Sequence, residues 1–171
     1  MWERIPEEVW RDQRGHVERY ELAAALVHDG EVVLDAACGI GYGARVLAEM
    51  DRAVTYHGAD LPGVPSPTFA AEGTFHGVNL DTWEPDFDFD VALCFETLEH
   101  LRDPARWAVI CKRARRLVIV SVPTVPTKHQ NLYHLHDFTV DQVIELLAPA
   151  DVVDVIAQPH ELSHVFVAHT N

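Results

Sequence analysis

Asp35 closes the short apolar run Val32-Val33-Leu34, and Gly39, Gly41 and Gly43 follow at alternate positions. A glycine-rich turn after a strand and before a helix lets backbone approach a ligand closely. A bare helix N-terminus there suits a pyrophosphate, but the Asp35 carboxylate would repel phosphate. It suits a ligand carrying an amine and a positive sulfonium. Asp60 lies about 20 residues beyond the turn, where an acidic side chain reaches ribose hydroxyls. Glu96 and His100 are four apart and share a face if that segment is helical. His100 and His134 are candidate general bases, since neutral imidazole can take a hydroxyl proton near pH 7. His100 has an alternative role in orienting a loop or capping the helix.

These residues need elements to hold them. Apolar runs at 32–34, 53–59, 74–78, 89–95, 117–122, 151–156 and 165–168 read as strands. Helical stretches fall at 17–27, 44–50, 103–113 and 140–147. Asp103 caps the third with Pro104 at its first position, and Thr139 caps the fourth. Strands alternating with helices predict a mostly parallel sheet. The last two strands have no helix between them and predict an antiparallel hairpin at the sheet edge.

The chain has 171 residues, 13 Lys and Arg, 27 Asp and Glu, and a formal charge of −14. That length suits one domain. The acidity argues against a nucleic-acid partner, which needs a basic footprint. No apolar run approaches the ~18 residues of a membrane span. Cys38, Cys94 and Cys111 are odd in number and form no CxxC pair, which predicts reduced thiols and a cytoplasmic location. The start of the chain does not read as a signal peptide.

The segment 33–43 resembles motif I of class I S-adenosylmethionine (SAM)-dependent methyltransferases, a strand followed by Asp/Glu-x-Gly-x-Gly-x-Gly. Ala37 stands where that pattern has its first Gly. Phe95-Glu96-Thr97-Leu98-Glu99-His100 is similar to the Phe-Glu-x-Leu-Glu-His stretch of a broad small-molecule group. Asn131-Leu132-Tyr133-His134, with Phe138-Thr139 beyond, resembles that group's Asn-Pro-Tyr-His-x-x-x-Phe-Thr, with Leu132 in place of Pro. The likeness runs from about Tyr20 to Ala168.

The resemblance implies an α/β, Rossmann-like doubly wound seven-stranded sheet of order 3-2-1-4-5-7-6, with strand 7 antiparallel, in three αβα layers. It implies a single methyltransferase domain over 1–171, with an amino-terminal helical cap at 1–30 and a SAM-binding core at 31–171. Asp35, Ala37, Gly39 and Gly41 would form the cofactor turn. Asp60 would bind the ribose and Leu61 would pack on adenine. Asn79 would take the adenine amino group, with Asp81 as the alternative, and the Leu80 N–H would meet the ring. Phe95 and Glu96 would face cofactor and substrate. Glu96, His100 and His134 are the catalytic candidates. Arg14, His16 and Tyr20 are candidates for covering the cofactor, and Cys38 and Cys94 for flanking the cleft.

His134 and His136 also read as a metal pair, with His129, His160 or His164 as third ligand. No zinc spacing supports them, so no metal is expected. The expected reaction is O-methylation of a small molecule or sugar hydroxyl. Methylation of nucleic acid or protein, and a non-catalytic SAM-fold interaction protein, are the alternatives. Asp35 argues against a nicotinamide-dependent dehydrogenase. An open-edged sheet suits a homodimer.

Overall fold

The computed structural model describes residues 5–159 and 161–170. Residues 1–4 of the expected cap, and His160, lie outside them. Seven strands form one sheet: β1 (Val32–Ala36), β2 (Thr55–Asp60), β3 (Thr74–Gly77), β4 (Val91–Phe95), β5 (Leu117–Pro123), β6 (Asp151–Ala157) and β7 (Ser163–His169). Their order is β3-β2-β1-β4-β5-β7-β6, as expected. β1 to β5 pair in parallel, and β7 runs antiparallel to both β5 and β6.

Central strands buried on both faces read as continuous apolar runs. Every residue of β4 and β5 is buried. Alternate residues then serve opposite layers. Val33, Leu93 and Ile119 pack against α1 (Arg14–Leu26) and α2 (Tyr42–Glu49). Leu34, Ala92 and Val118 pack against α3 (Pro104–Cys111) and α4 (Val140–Leu147). These are the three layers. β6 is an edge strand with Val153, Val155 and Ile156 exposed.

The helix ends follow the sequence signals. The Asp103 side chain accepts from the Arg106 N–H, with Pro104 at the first helical position. Thr139 and Gln142 form a reciprocal capping box at α4. In α1 the buried residues are Gly15, Arg19, Tyr20, Ala23 and Ala24, one stripe at helical spacing. A charge therefore lies on the inward stripe at Arg19.

The register decides where the site forms. Ala36 stands level with Ala59 on one side and Cys94 on the other. The carboxyl ends of β1, β2 and β4 therefore open onto one edge. The strand order runs outward through β2 and β3 on one side of β1 and through β4 and β5 on the other, and a crevice forms at this switch point.

Candidate active site

The turn after β1 is wound tightly. Ala37, Gly39 and Gly41 all have positive φ, at 57°, 58° and 97°. The glycines take that conformation without penalty, whereas Ala37 carries a cost of roughly 1–2 kcal/mol. The two glycines then differ in surroundings. A Cβ at Gly39 would meet no atom within 4 Å, because this residue faces the crevice. A Cβ at Gly41 would sit 2.7 Å from the Phe75 ring. Gly41 thus starts α2 and admits Phe75, while Gly39 is left for close approach of a ligand. Gly43 is needed for packing, since a Cβ there would lie 2.3 Å from the Tyr20 ring.

The crevice has a volume of about 880 Å3. Ala37, Gly39, Asp60, Leu61, Asn79, Leu80, Phe95, Glu96 and His100 line it, as do His16, Tyr20 and Cys38. Asp60 accepts from the Gly39 N–H at 2.8 Å and from the Leu61 N–H at 2.6 Å. The two bonds clamp the end of β2 to the glycine turn. Carboxylate oxygens accept more than one hydrogen bond each, so the same group can serve ligand hydroxyls. Asn79 accepts the Asp81 N–H at 3.0 Å, an Asx turn that shapes this wall.

Asp35 and Gly41 lie behind the crevice wall rather than on it. Asp35 is 1% exposed, and its Oδ2 accepts from the Tyr20 hydroxyl at 2.8 Å and from the Tyr56 hydroxyl. Its Oδ1 is buried without a hydrogen bond. Burial raises the Asp35 pKa to about 7, against the lowering effect of the two tyrosines, and the Asp60 charge adds to the rise. Burial first, and then repulsion between the Asp35 charge and a phenolate, drive the Tyr20 and Tyr56 hydroxyls upward.

Glu96 departs from the expected geometry. Its φ is +47°, and only Leu98–His100 form a short 3-10 turn. Without a helix, Glu96 and His100 do not share a helical face. The Glu96 Oε1 accepts from the Ser121 hydroxyl and Oε2 from the Ser163 hydroxyl, each at 2.8 Å. The carboxylate therefore ties β4 to β5 and β7. It also faces Arg19, whose Nη2 lies 3.5 Å from Oε1.

Arg19 is the residue the sequence reading missed. It is 1% exposed and lines the crevice. Its Nε donates to Gln158 at 2.6 Å, and Gln158 in turn donates to the Gly15 carbonyl at 3.0 Å. Both terminal guanidinium nitrogens are buried without a hydrogen bond. Glu96 supplies a counter-charge at 3.5 Å but no hydrogen bond, so these buried N–H groups remain open to a further acceptor. The signal was the charge on the apolar stripe of α1. His16 nearby is pushed down to about 4 by burial and by the Arg19 charge, so it is neutral at pH 7.

His100, Leu132, Tyr133 and Leu135 also line the crevice. The loop 131–136 is pinned there because the Glu99 carbonyl accepts from the Leu135 N–H at 2.7 Å. His100 and His134 meet edge to face, with ring centroids 4.7 Å apart. His134 itself does not line the crevice but stands directly behind His100. His136 turns away, its Nε2 2.9 Å from the Leu101 carbonyl. His129 pairs with Gln130 and His164 with Thr124, so neither joins His134. Cys94, expected beside the cleft, instead packs with Cys111 in the α3–α4 layer, because its place in β4 points it to that face.

A family model described as a methyltransferase domain matches residues 10–168. A probable S-adenosylmethionine-dependent methyltransferase of Mycobacterium tuberculosis is 33% identical over 135 residues, 72% of this chain. The chain spans about half the length of that relative, 49%. A methyltransferase of Haloferax volcanii, solved with its Trm112 activator, superposes with a TM-score of 0.74 at 16% identity. That match covers 95% of this chain and 92% of the other. Magnesium protoporphyrin IX methyltransferase of Synechocystis, solved with bound SAH, gives 0.71 at 15% identity, over 100% of this chain and 90% of its own. These two likenesses concern the fold. The family match over almost the whole length, with the curated relative beside it, shows that the chain belongs to the class I SAM-dependent methyltransferases.

Proposed function

We propose that this domain transfers a methyl group from SAM to a hydroxyl of a small molecule. The observation that carries the cofactor's orientation is the pair of unsatisfied charges flanking the glycine turn. Arg19 offers two buried N–H groups without hydrogen bonds, and Asp35 offers one buried oxygen without one. A zwitterionic amino-acid end at the turn would answer both, its carboxylate on Arg19 and its ammonium over the turn in front of the buried Asp35. Asp60, at the end of β2, receives the ribose hydroxyls. Leu61 and Leu80 flank the adenine, with Asn79 at its polar edge. When bound, SAM supplies an electrophilic methyl group on a cationic sulfur.

The chain's own contribution is positioning. Phe95 is 8% exposed at the crevice wall, and Tyr20 packs edge-on against it at 5.1 Å. These rings exclude water around the sulfonium position. Glu96 orients Arg19 and joins three strands, which makes it a positioning residue rather than a base. On the acceptor side, His100 lines the crevice and is the group within reach of the hydroxyl proton, with His134 packed against it. The crevice volume lies near the upper end of the ~300–1,000 Å3 usual for ligand sites, room for a cofactor and a modest acceptor.

The acidic chain fits a neutral or cationic small acceptor better than a polyanion. Three unpaired, buried thiols fit a cytoplasmic location. A homodimer along the β6 edge belongs to the same proposal, and a monomer mass in light scattering would refute it. SAM at about 100-fold above its dissociation constant should stabilise the chain by roughly 2.7 kcal/mol. Transfer of labelled methyl from SAM into a panel of hydroxylated small molecules tests the acceptor class. Label entering only protein or nucleic acid would overturn it.

A further inference from the structure

The acceptor end of the crevice carries a cluster that methyl transfer by positioning alone does not need. Glu99, His100 and His134 each offer one ligand atom, and these atoms all lie within 4.8 Å of one another. Glu99 is 1% exposed, while the His100 side chain is 29% exposed and reaches the crevice.

The hydrogen bonds around the two imidazoles decide what the cluster is set up to bind. His100 Nδ1 lies 3.1 Å from the Tyr133 carbonyl oxygen. A carbonyl only accepts, so the proton sits on Nδ1 and the Nε2 lone pair is left facing outward. That Nε2 lies 3.9 Å from Glu99 Oε1. His100 therefore turns Nε2, the nitrogen not facing a carbonyl, toward a carboxylate oxygen, and these two atoms together with one of His134 converge on a single point as metal ligands do. His134 Nδ1 is likewise engaged, 2.6 Å from the Thr127 hydroxyl. Outer hydrogen bonds of this kind fix tautomer and ring orientation in metal-ligating histidines.

We propose that Glu99, His100 and His134 bind one divalent transition-metal ion beside the acceptor end of the crevice. Two imidazoles and one carboxylate favour Mn2+, Fe2+, Co2+ or Zn2+ over the oxygen-seeking Mg2+. With bonds of about 2.1 Å, ligand atoms on an octahedron stand about 3 Å apart. Closing from the present spacing needs movements of roughly 1 Å, within reach of small side-chain rotations. Three protein ligands leave positions open on the crevice side.

This inference rests on the methyltransferase reading and deepens it. An acceptor hydroxyl coordinated at an open position loses its proton to water more readily, because the bound cation lowers its pKa. The oxygen's electron pair then forms the O–CH3 bond as the C–S bond breaks and its pair returns to sulfur. His100 and His134 become ligands, not bases, which replaces the expectation that no metal is used.

The test is ion binding by the purified full chain after chelator treatment, with no acceptor present. Titrations use Mn2+ followed by its free-ion EPR signal and Co2+ followed by its visible spectrum. We expect one ion per chain, with affinity falling at least tenfold in both His100→Ala and His134→Ala. Thr127→Val should weaken binding about tenfold, since outer-shell losses cost roughly 10–100-fold. His136→Ala should bind as the parent does. SAM-induced stabilisation, measured on the same samples, reports folding and the cofactor site separately. No stoichiometric ion at millimolar Mn2+, Co2+ or Zn2+ in a chain that SAM still stabilises would overturn the metal site alone. Binding by the two histidine variants as tight as the parent's would overturn it as well.

Discussion

Replacing Asp35 by Asn gives a direct measure of the buried charge behind the glycine turn. Asp35 is fully enclosed, and burial lifts its pKa from 3.8 to about 7. The folded state therefore holds a proton on this group that the unfolded chain releases above about pH 4. Stability from that proton is fully present below pH 4 and is lost as pH rises through 7. Integrated over the two pKa values, the loss between pH 5 and pH 8 is roughly 2.5 kcal/mol. Asn cannot titrate, so the variant lacks this loss. Its amide keeps an oxygen for the Tyr20 and Tyr56 hydroxyls but buries an NH2, at a cost of about 1–3 kcal/mol. The variant should therefore be less stable than the parent at pH 5 and about equal or more stable at pH 8. Urea unfolding without SAM, at both pH values, reads the difference directly. His16 and other titrating groups are common to both chains and cancel. Parallel pH profiles for the two chains would show that Asp35 is ionised throughout and refute the argument. On the proposed binding mode, the same substitution should weaken SAM binding at least tenfold at pH 8, because the buried charge behind the turn that attracts the cofactor's ammonium is lost.

Further outcomes follow from neighbouring residues. Arg19→Gln removes the buried guanidinium, and SAM affinity measured by calorimetry should fall roughly 10–100-fold, as loss of charge-assisted bonds of about 1.5–3 kcal/mol implies. An unchanged affinity would remove Arg19 from the cofactor site. Gly39→Ala should cost the apo chain only about 1–2 kcal/mol of backbone strain, yet weaken SAM binding more than tenfold, since its Cβ enters the crevice. Gly41→Ala should instead lower the melting temperature strongly, because its Cβ would sit 2.7 Å from the Phe75 ring. Thr139→Ala should cost about 1 kcal/mol by removing the α4 cap, with no change in SAM affinity.

Much of the fold is legible in local pattern. Runs such as Leu117-Val118-Ile119-Val120 can only be strands buried on both faces, and Asp103-Pro104 and Thr139 announce helix starts. Once strands and helices alternate, handedness and connection length leave few topologies. The turn at Ala37–Gly43 was equally readable, because positive φ restricts residue choice in the sequence itself. The division of labour within that turn was not. Gly39 serves the crevice, Gly41 admits Phe75 and Gly43 admits Tyr20, and only packing tells them apart.

The residues that set the site's charges were the least visible. Local sequence determined the strands, the caps, the glycine turn and the acidic residue at the end of β2, because each obeys short-range sterics or spacing. Tertiary structure decided that Arg19, about 140 residues before Gln158, is held by it and turned into the crevice. It decided that Glu96 spends its oxygens on Ser121 and Ser163. It also brought His134 back beside Glu99 and His100. These outcomes depend on distances between chain segments far apart in sequence, and electrostatic interaction is a function of those distances and of burial.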